Sequence, residues 1–351
     1  MDDFQAIFCA FNDRLHEITT FLLMVSQQKD FVKTIYDSSP EKHSTLREDA
    51  YVKSSRELIN SKVEYNAIII SAYACFENYI DDLLQEYLKS IIKAGCNVDS
   101  ISTTTKKKYF DKICEYLSSP HRYPAEHLSI EAAIKSVYDC YYGSKTDIIA
   151  ELLLHHGGNL KQENISNLLS ILGIIEQGSL IVSQRDAQDF VSLFLSDSDR
   201  QLAIITKPQI LFQSLDELVD QRNIIAHTWN SDSRFGESML RDHIELLLLL
   251  GYVILFQVIC SYYSKNPHYL HEFPVVHDVF NHNVLCLNSD KAAIKVGDFL
   301  YIKDESTVFV AQIKRIEVNR TSVDIVEEPN TDVGLELNRR VKRVQKFYYI
   351  Q

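Results

Sequence analysis

The chain has 351 residues, 46% of them hydrophobic, with 10 Gly and 7 Pro: enough for a large core plus a small second domain, in a composition that suits a mainly helical protein. The seven cysteines, at 9, 75, 96, 114, 140, 260 and 286, contain no Cys-x-x-Cys pair and lie mostly among apolar residues, a reducing-compartment pattern without a zinc site. The net charge of −12 speaks against a surface that holds RNA broadly, and the acidic start Met1-Asp2-Asp3 lacks the basic region of a signal peptide, so a cytoplasmic location is expected.

In chain order, Asp2 to Tyr36 reads as an amphipathic helix and Ser38 to Glu48 as a polar connection. Residues 53–94 form a long second helix ending near Gly95, in which Glu77 follows a long apolar approach from Ala67. Thr103 to Leu117 is a shorter helix opening with Lys106-Lys107-Lys108, either a solvated face or a contact for RNA backbone. Pro120 to Pro124 breaks it, Ser129 caps a helix over Ile130 to Tyr142, and short helices follow in 145–156, 162–173 and 184–195. His155-His156-Gly157-Gly158 reads as a helix end terminated by Gly157, because adjacent histidines point in different directions on a helix.

Gln209 to Thr228 is the helix with chemistry. At about 100° per residue, Leu215, Leu218, Val219, Ile225 and Ala226 share an arc of roughly 120° with Arg222 near its middle. Asn223 and His227, one turn apart on the adjoining flank, border the same cleft. An unpaired buried charge is very costly, so Arg222 calls for an acidic partner, an anionic ligand, or both. Glu77 is a natural counter-charge. A polar turn, Thr228 to Phe235, leads to a very apolar helix, Glu237 to Tyr263. Its run Leu246 to Cys260, interrupted only by Gln257, is short of the ~20 residues of a membrane span and begins among charges, so it reads as a central bundle helix.

Arg222-Asn223-Ile224-Ile225-Ala226-His227, together with the Phe76-Glu77-Asn78-Tyr79 helix, resembles the HEPN superfamily, in its RNase LS-like and MAE-type branches. These are helical bundles whose signature is Arg, a polar residue, a few variable residues and His. The resemblance covers residues 50–95 and 209–265, with 96–208 as a helical insertion. It implies a metal-independent endoribonuclease of a bacterial toxin or antiphage defence system, without a cofactor, whose site is shared by two paired domains. RNA would be the substrate, a second copy the partner, and an antitoxin or defence protein a further partner.

The residue types fit that chemistry. Cleavage by the RNA's own 2′-hydroxyl needs only proton transfer and charge stabilisation. Histidine, with an ordinary pKa of about 6.5, suits the first, and Arg222 suits the second. Asn223 would orient the histidine or bind a phosphate oxygen, and Glu77 would support Arg222. Two other readings stand beside this one. The first is a non-catalytic binding or scaffolding module with a structural Arg222–Glu77 ion pair. The second is a site that binds a nucleotide without cutting.

His268, His271, His277 and His282 are scattered through a loop-rich stretch. From Ala292 the period changes to short strands: 295–302, Thr307 to Val318, Ser322 to Val326 and 335–337, with turns at Asp-Glu-Ser, Asn-Arg-Thr and Glu-Pro-Asn. The expected architecture is a helical HEPN-type domain over 1–285 followed by a small SH3-like β-barrel over 290–351. The barrel's tail carries Arg339, Arg340, Lys342 and Arg343 among aromatics, as an RNA contact or as an edge strand protected by charge. Residues 290–351 hold 11 basic and 10 acidic residues, leaving 25 and 38 in the remainder, so the helical part carries −13.

Overall fold

The computed structural model describes residues 2–38, 44–122, 128–142, 147–156, 159–175, 182–228, 235–290, 293–305 and 307–350. The helices are α1 (Asp2–Ser38), α2 (Ser44–Lys93), α3 (Val98–Ile101), α4 (Thr105–Ser118), α5 (Ile130–Tyr142), α6 (Ala150–Leu153), α7 (Gln162–Ile171), α8 (Gln184–Phe194), α9 (Ser198–Thr206), α10 (Ile210–Thr228) and α11 (Glu237–Lys265). The strands are β1 (Leu270–Glu272), β2 (Val276–Phe280), β3 (Val284–Asn288), β4 (Ile294–Lys295), β5 (Phe299–Lys303), β6 (Val308–Val318), β7 (Thr321–Val323), β8 (Ile325–Val326), β9 (Asp332–Leu337) and β10 (Lys346–Ile350). The expected stops at Pro124 and Gly157, and most of the turn after Thr228, fall on residues outside those described.

Four helices, α1, α2, α10 and α11, pack on one another and form the bundle. Helical spacing explains why. On α1, Phe4, Phe11, Leu15, Leu22 and Val25 fall on one side, and on α2 the buried stripe runs Phe76, Tyr79, Ile80, Leu83, Leu84 and Tyr87. α11 is apolar nearly all round and is covered by α1, α2, α8, α10 and strand β6. It is long and apolar enough to cross a membrane, yet 78% of its most apolar window is buried inside the protein, as a core helix requires.

The bundle is tightly packed at Gly251 of α11, whose carbonyl accepts a hydrogen bond from Tyr79 Oη at 2.7 Å. A Cβ at that position would lie 2.6 Å from the Phe11 ring, which stacks on Tyr79 with centroids 4.3 Å apart. α5 begins as expected, with Ser129 Oγ accepting from the Ala132 N–H at 3.1 Å. α3 and α9 are additions to the sequence reading, and α6 is only one turn long.

The C-terminal unit is antiparallel throughout. Its path of paired strands runs β1-β10-β5-β6-β9-β3-β2, with β7 on β6 and a separate β4-β8 pair. The path has two ends, so ring closure of the expected barrel is not found. β1 and β2 lie in the stretch read as loop-rich, where they are short and carry histidines, and β3, with its alternating burial, lies just past it, so the unit starts at Leu270, soon after α11. β10 lies between β1 and β5 and is therefore an interior strand, which corrects the edge-strand reading of the tail. The Asn-Arg-Thr turn is confirmed as a two-residue hairpin, with Asn319 and Arg320 at φ 51° and 66° between β6 and β7. Phe299, Tyr301 and Val310 of the sheet join the helical core, so the sheet is seated on the bundle.

Candidate functional site

α10 is seated by Leu211, Phe212, Leu215, Leu218, Val219 and Ile225, all buried. The buried stripe ends there. Ile224, Ala226, His227 and Thr228 are exposed, and Arg222 and Asn223 are half-buried at the boundary, so Ala226 does not face the core as its spacing suggested. Three contacts hold α10 beside Arg222. Tyr65 Oη donates to Gln221 Oε1 at 3.3 Å, Lys161 Nζ pairs with Asp220 at 2.6 Å, and the Gln162 N–H donates to Asp216 at 3.3 Å.

Arg222 makes no ion pair with Glu77. Its Nη1 donates to two amide oxygens, Asn159 Oδ1 at 3.2 Å and Asn223 Oδ1 at 3.1 Å. Its guanidinium carbon lies 5.2 Å from the centroid of the Tyr73 ring, within cation–π range. Tyr73 fills the place the sequence reading gave to a direct Arg222–Glu77 contact: its hydroxyl donates to Glu77 Oε1 at 3.0 Å and accepts from the Leu160 N–H at 3.0 Å. Burial pushes the Tyr73 phenol up to about 12, with Glu77 adding to the rise while the Leu160 N–H and Arg222 oppose it. Tyr73 is thus a neutral phenol standing between Glu77 and the Arg222 guanidinium.

His227 stands on the last turn of α10, four residues after Asn223, and makes no hydrogen bond or ion pair among the described residues. Arg222, Asn223 and His227 are thus gathered at one helix end. Glu77 is connected to them indirectly. Two contributors were not named from sequence. Tyr73 is one helical turn before Glu77, a spacing that could have found it. Asn159 reaches Arg222 across 63 residues of chain, which no local pattern reports. A third residue, His243, is buried between α10 and α11: its Nδ1 is 2.6 Å from Met239 O, its Nε2 is 3.3 Å from Glu217 Oε2, and its ring stacks on Phe235.

The other candidates lie elsewhere. Lys106 is 3.5 Å from Asp99 and sits over the Tyr141 ring, while Lys107 and Lys108 are exposed on α4, which packs with α3, α5 and α6 rather than α10. Arg339 is not available to RNA. It is 4% exposed, pairs with Asp186 at 2.8 Å and Asp189 at 2.9 Å, and lies over the rings of Phe190 and Phe309. Arg340, Lys342 and Arg343 are exposed, with Arg343 3.9 Å from Asp278. His156 Nε2 is 3.1 Å from Asp81 Oδ1, a pairing of the loop after α6 with α2. Among the described residues no three His, Cys, Asp or Glu side chains converge in a way that could hold a metal ion.

The family model described as RiboL-PSP-HEPN matches residues 25–258. The chain belongs to the RiboL-PSP-HEPN family. The HEPN membership expected from the Arg222–His227 string and the Glu77 helix is thereby established. The match begins within α1 and ends within α11, so the RiboL-PSP-HEPN region takes in α2 to α10 and stops before the sheet. Comparison with curated proteins finds no match, and comparison with solved structures finds none either.

Proposed function

We propose that this RiboL-PSP-HEPN protein is a metal-independent endoribonuclease that cleaves RNA at a site formed by two copies of the α10 end. The observation that carries the reading is the setting of Arg222: a half-buried guanidinium held by two amides and a phenol ring, with no carboxylate on it among the described residues. A cation kept in place without being neutralised is suited to a phosphate and to the added charge of its transition state. A scaffold reading built on a direct Arg222–Glu77 ion pair lacks that pair.

In the proposed reaction the 2′-hydroxyl gives up its proton and attacks the adjacent phosphorus, and the 5′-oxygen leaves with a proton. His227, exposed and unpartnered among the described residues, serves one of these transfers, and its counterpart in a two-fold partner serves the other. Arg222 holds a non-bridging phosphate oxygen, and Asn223, one turn from His227, donates to the same phosphate or orients the imidazole. With −13 on residues before 290, RNA would be gripped locally at this helix end and not along the surface. The family and this chemistry suit a cytoplasmic protein of a bacterial toxin or antiphage defence system, checked by a partner such as an antitoxin.

The test is cleavage of total RNA by the purified protein in excess EDTA, beside His227→Ala with matched circular dichroism. Cleavage by the wild type and its loss in the variant is the expected result. Equal cleavage by both overturns the assignment of His227, and dependence on added divalent metal overturns the metal-independent mechanism.

A further inference from the structure

A cavity of about 440 Å³ lies where the C-terminal half of α11, the start of α8 and the start of β6 meet, a size within the ordinary range for small-molecule sites. Its floor is buried, at Phe256, Ser261 and Val310, and its mouth is exposed, at Ser183, Ser264 and Thr307.

Two features of the walls ask for a ligand. The first is charge. Arg185, Lys265 and Arg339 line the cavity, and the carboxylates that answer them are Asp186 and Asp189, both engaged by Arg339. Arg185 shares Asp189 at 3.7 Å and otherwise donates to the Arg340 carbonyl. Lys265 has no carboxylate among the described residues: its ammonium donates to Gly173 O at 2.7 Å and Ser261 Oγ at 3.2 Å. Burial pulls both Lys265 and Arg185 below their ordinary pKa values, and Arg339 adds to the effect on Arg185. Lys265 is thus a wall cation with no carboxylate of its own among the described residues, and Arg185 shares Asp189 with Arg339 while Asp186 and Asp304 lie in its field. The second feature is Gln257, the one polar interruption of α11's apolar run, whose Oε1 is buried with no hydrogen-bond partner among the described residues. A buried acceptor of this kind is rare in a folded protein and is normally met by a donor.

We propose that this seam cavity binds a small phosphorylated ligand of the nucleoside monophosphate class, its phosphate between Lys265 and Arg185 and a sugar hydroxyl or base amino group on Gln257 Oε1. A phosphate offers more acceptor oxygens than a carboxylate to two cations and the hydroxyls of the mouth, and the cavity's volume exceeds that of a phosphate ion alone. The ligand touches α8, α11 and β6 together, so its binding holds the sheet on the bundle. The site shares no residue with the α10 end and is independent of the nuclease reading.

Titration calorimetry of the full chain carrying His227→Ala, with 5′-AMP, adenosine and inorganic phosphate as probes, tests the proposal. The expected result is saturable binding of 5′-AMP about tenfold or more tighter than of either fragment, weakened about tenfold or more by Lys265→Met and by Gln257→Leu. Thr307→Trp, which blocks the mouth from an exposed position, should weaken it equally while leaving the melting temperature unchanged. Absence of saturable binding at millimolar 5′-AMP overturns the proposal. So does binding that survives both Lys265→Met and Thr307→Trp, or binding that disappears in Arg222→Ala, which would place the ligand at the α10 end.

Discussion

Two arginines marked by the sequence end in opposite situations. Arg222 and Arg339 both lie over aromatic rings, Tyr73 in one case and Phe190 and Phe309 in the other. What separates them is the acceptor. Arg339 is closed by two carboxylates, one of which, Asp189, is 2% exposed, whereas Arg222 is held by two amide oxygens and keeps its charge uncancelled. The first arrangement joins α8 to the sheet and has nothing left for a ligand. The second positions a cation and leaves its charge available. Burial alone therefore does not tell these two arginines apart; the formal charge of the partner does.

Removing each arginine should break the symmetry of that pair. Arg339→Ala leaves Asp189 with only Arg185 at 3.7 Å and Asp186 with only Ser183, and should destabilise the fold by about 3 kcal/mol in urea unfolding, while RNA cleavage per folded molecule stays near wild type. Arg222→Ala strands no carboxylate. It should lower cleavage by roughly 10²–10³-fold, the scale of a lost transition-state donor, at about 1 kcal/mol of stability, and a loss near 4 kcal/mol would make Arg222 structural after all. Tyr73→Phe removes the link between Glu77 and the Leu160 N–H and should cost about 1–3 kcal/mol, with a smaller fall in cleavage than Arg222→Ala.

The smallest effect is alkaline. Tyr73 is pushed up to about 12 by burial, and Tyr252 at the seam is pushed further by the same cause. Between the ordinary phenol value of about 10 and these raised values the unfolded chain has lost protons that the folded chain keeps, so stability falls as pH rises through that window. Tyrosinate absorbance of the folded protein should appear first from exposed tyrosines, and Tyr73→Phe should flatten part of the loss between pH 10 and about 12.

The helical frame was legible because its signals are local: α1, α2 and α10 carry stripes at helical spacing, α11 is a long continuous apolar run, and Ser129 announces its own cap. The site was legible where it is local, in Arg222, Asn223 and His227 on a single turn and a half of helix. It was not legible where it depends on distant chain. Asn159 and the interposed Tyr73 need tertiary contacts to be seen, and Arg339 looked like part of a basic tail because its carboxylates lie about 150 residues earlier. The first strands were hidden for another reason: β1 and β2, of three and five residues with histidines and half-buried patterns, give little alternation to read.

The crossing of α1, α2 and α11 at Gly251 ties three positions into one unit of inheritance. Any methyl group at 251 meets the Phe11 ring, and that ring cannot retreat without leaving Tyr79, whose hydroxyl is committed to the Gly251 carbonyl. A single substitution at 251 is therefore costly, and a smaller side chain at position 11 or 79 would ease a departure from glycine there. Across relatives that share this bundle, the three positions should co-vary, a statistical trace that sequencing alone can check.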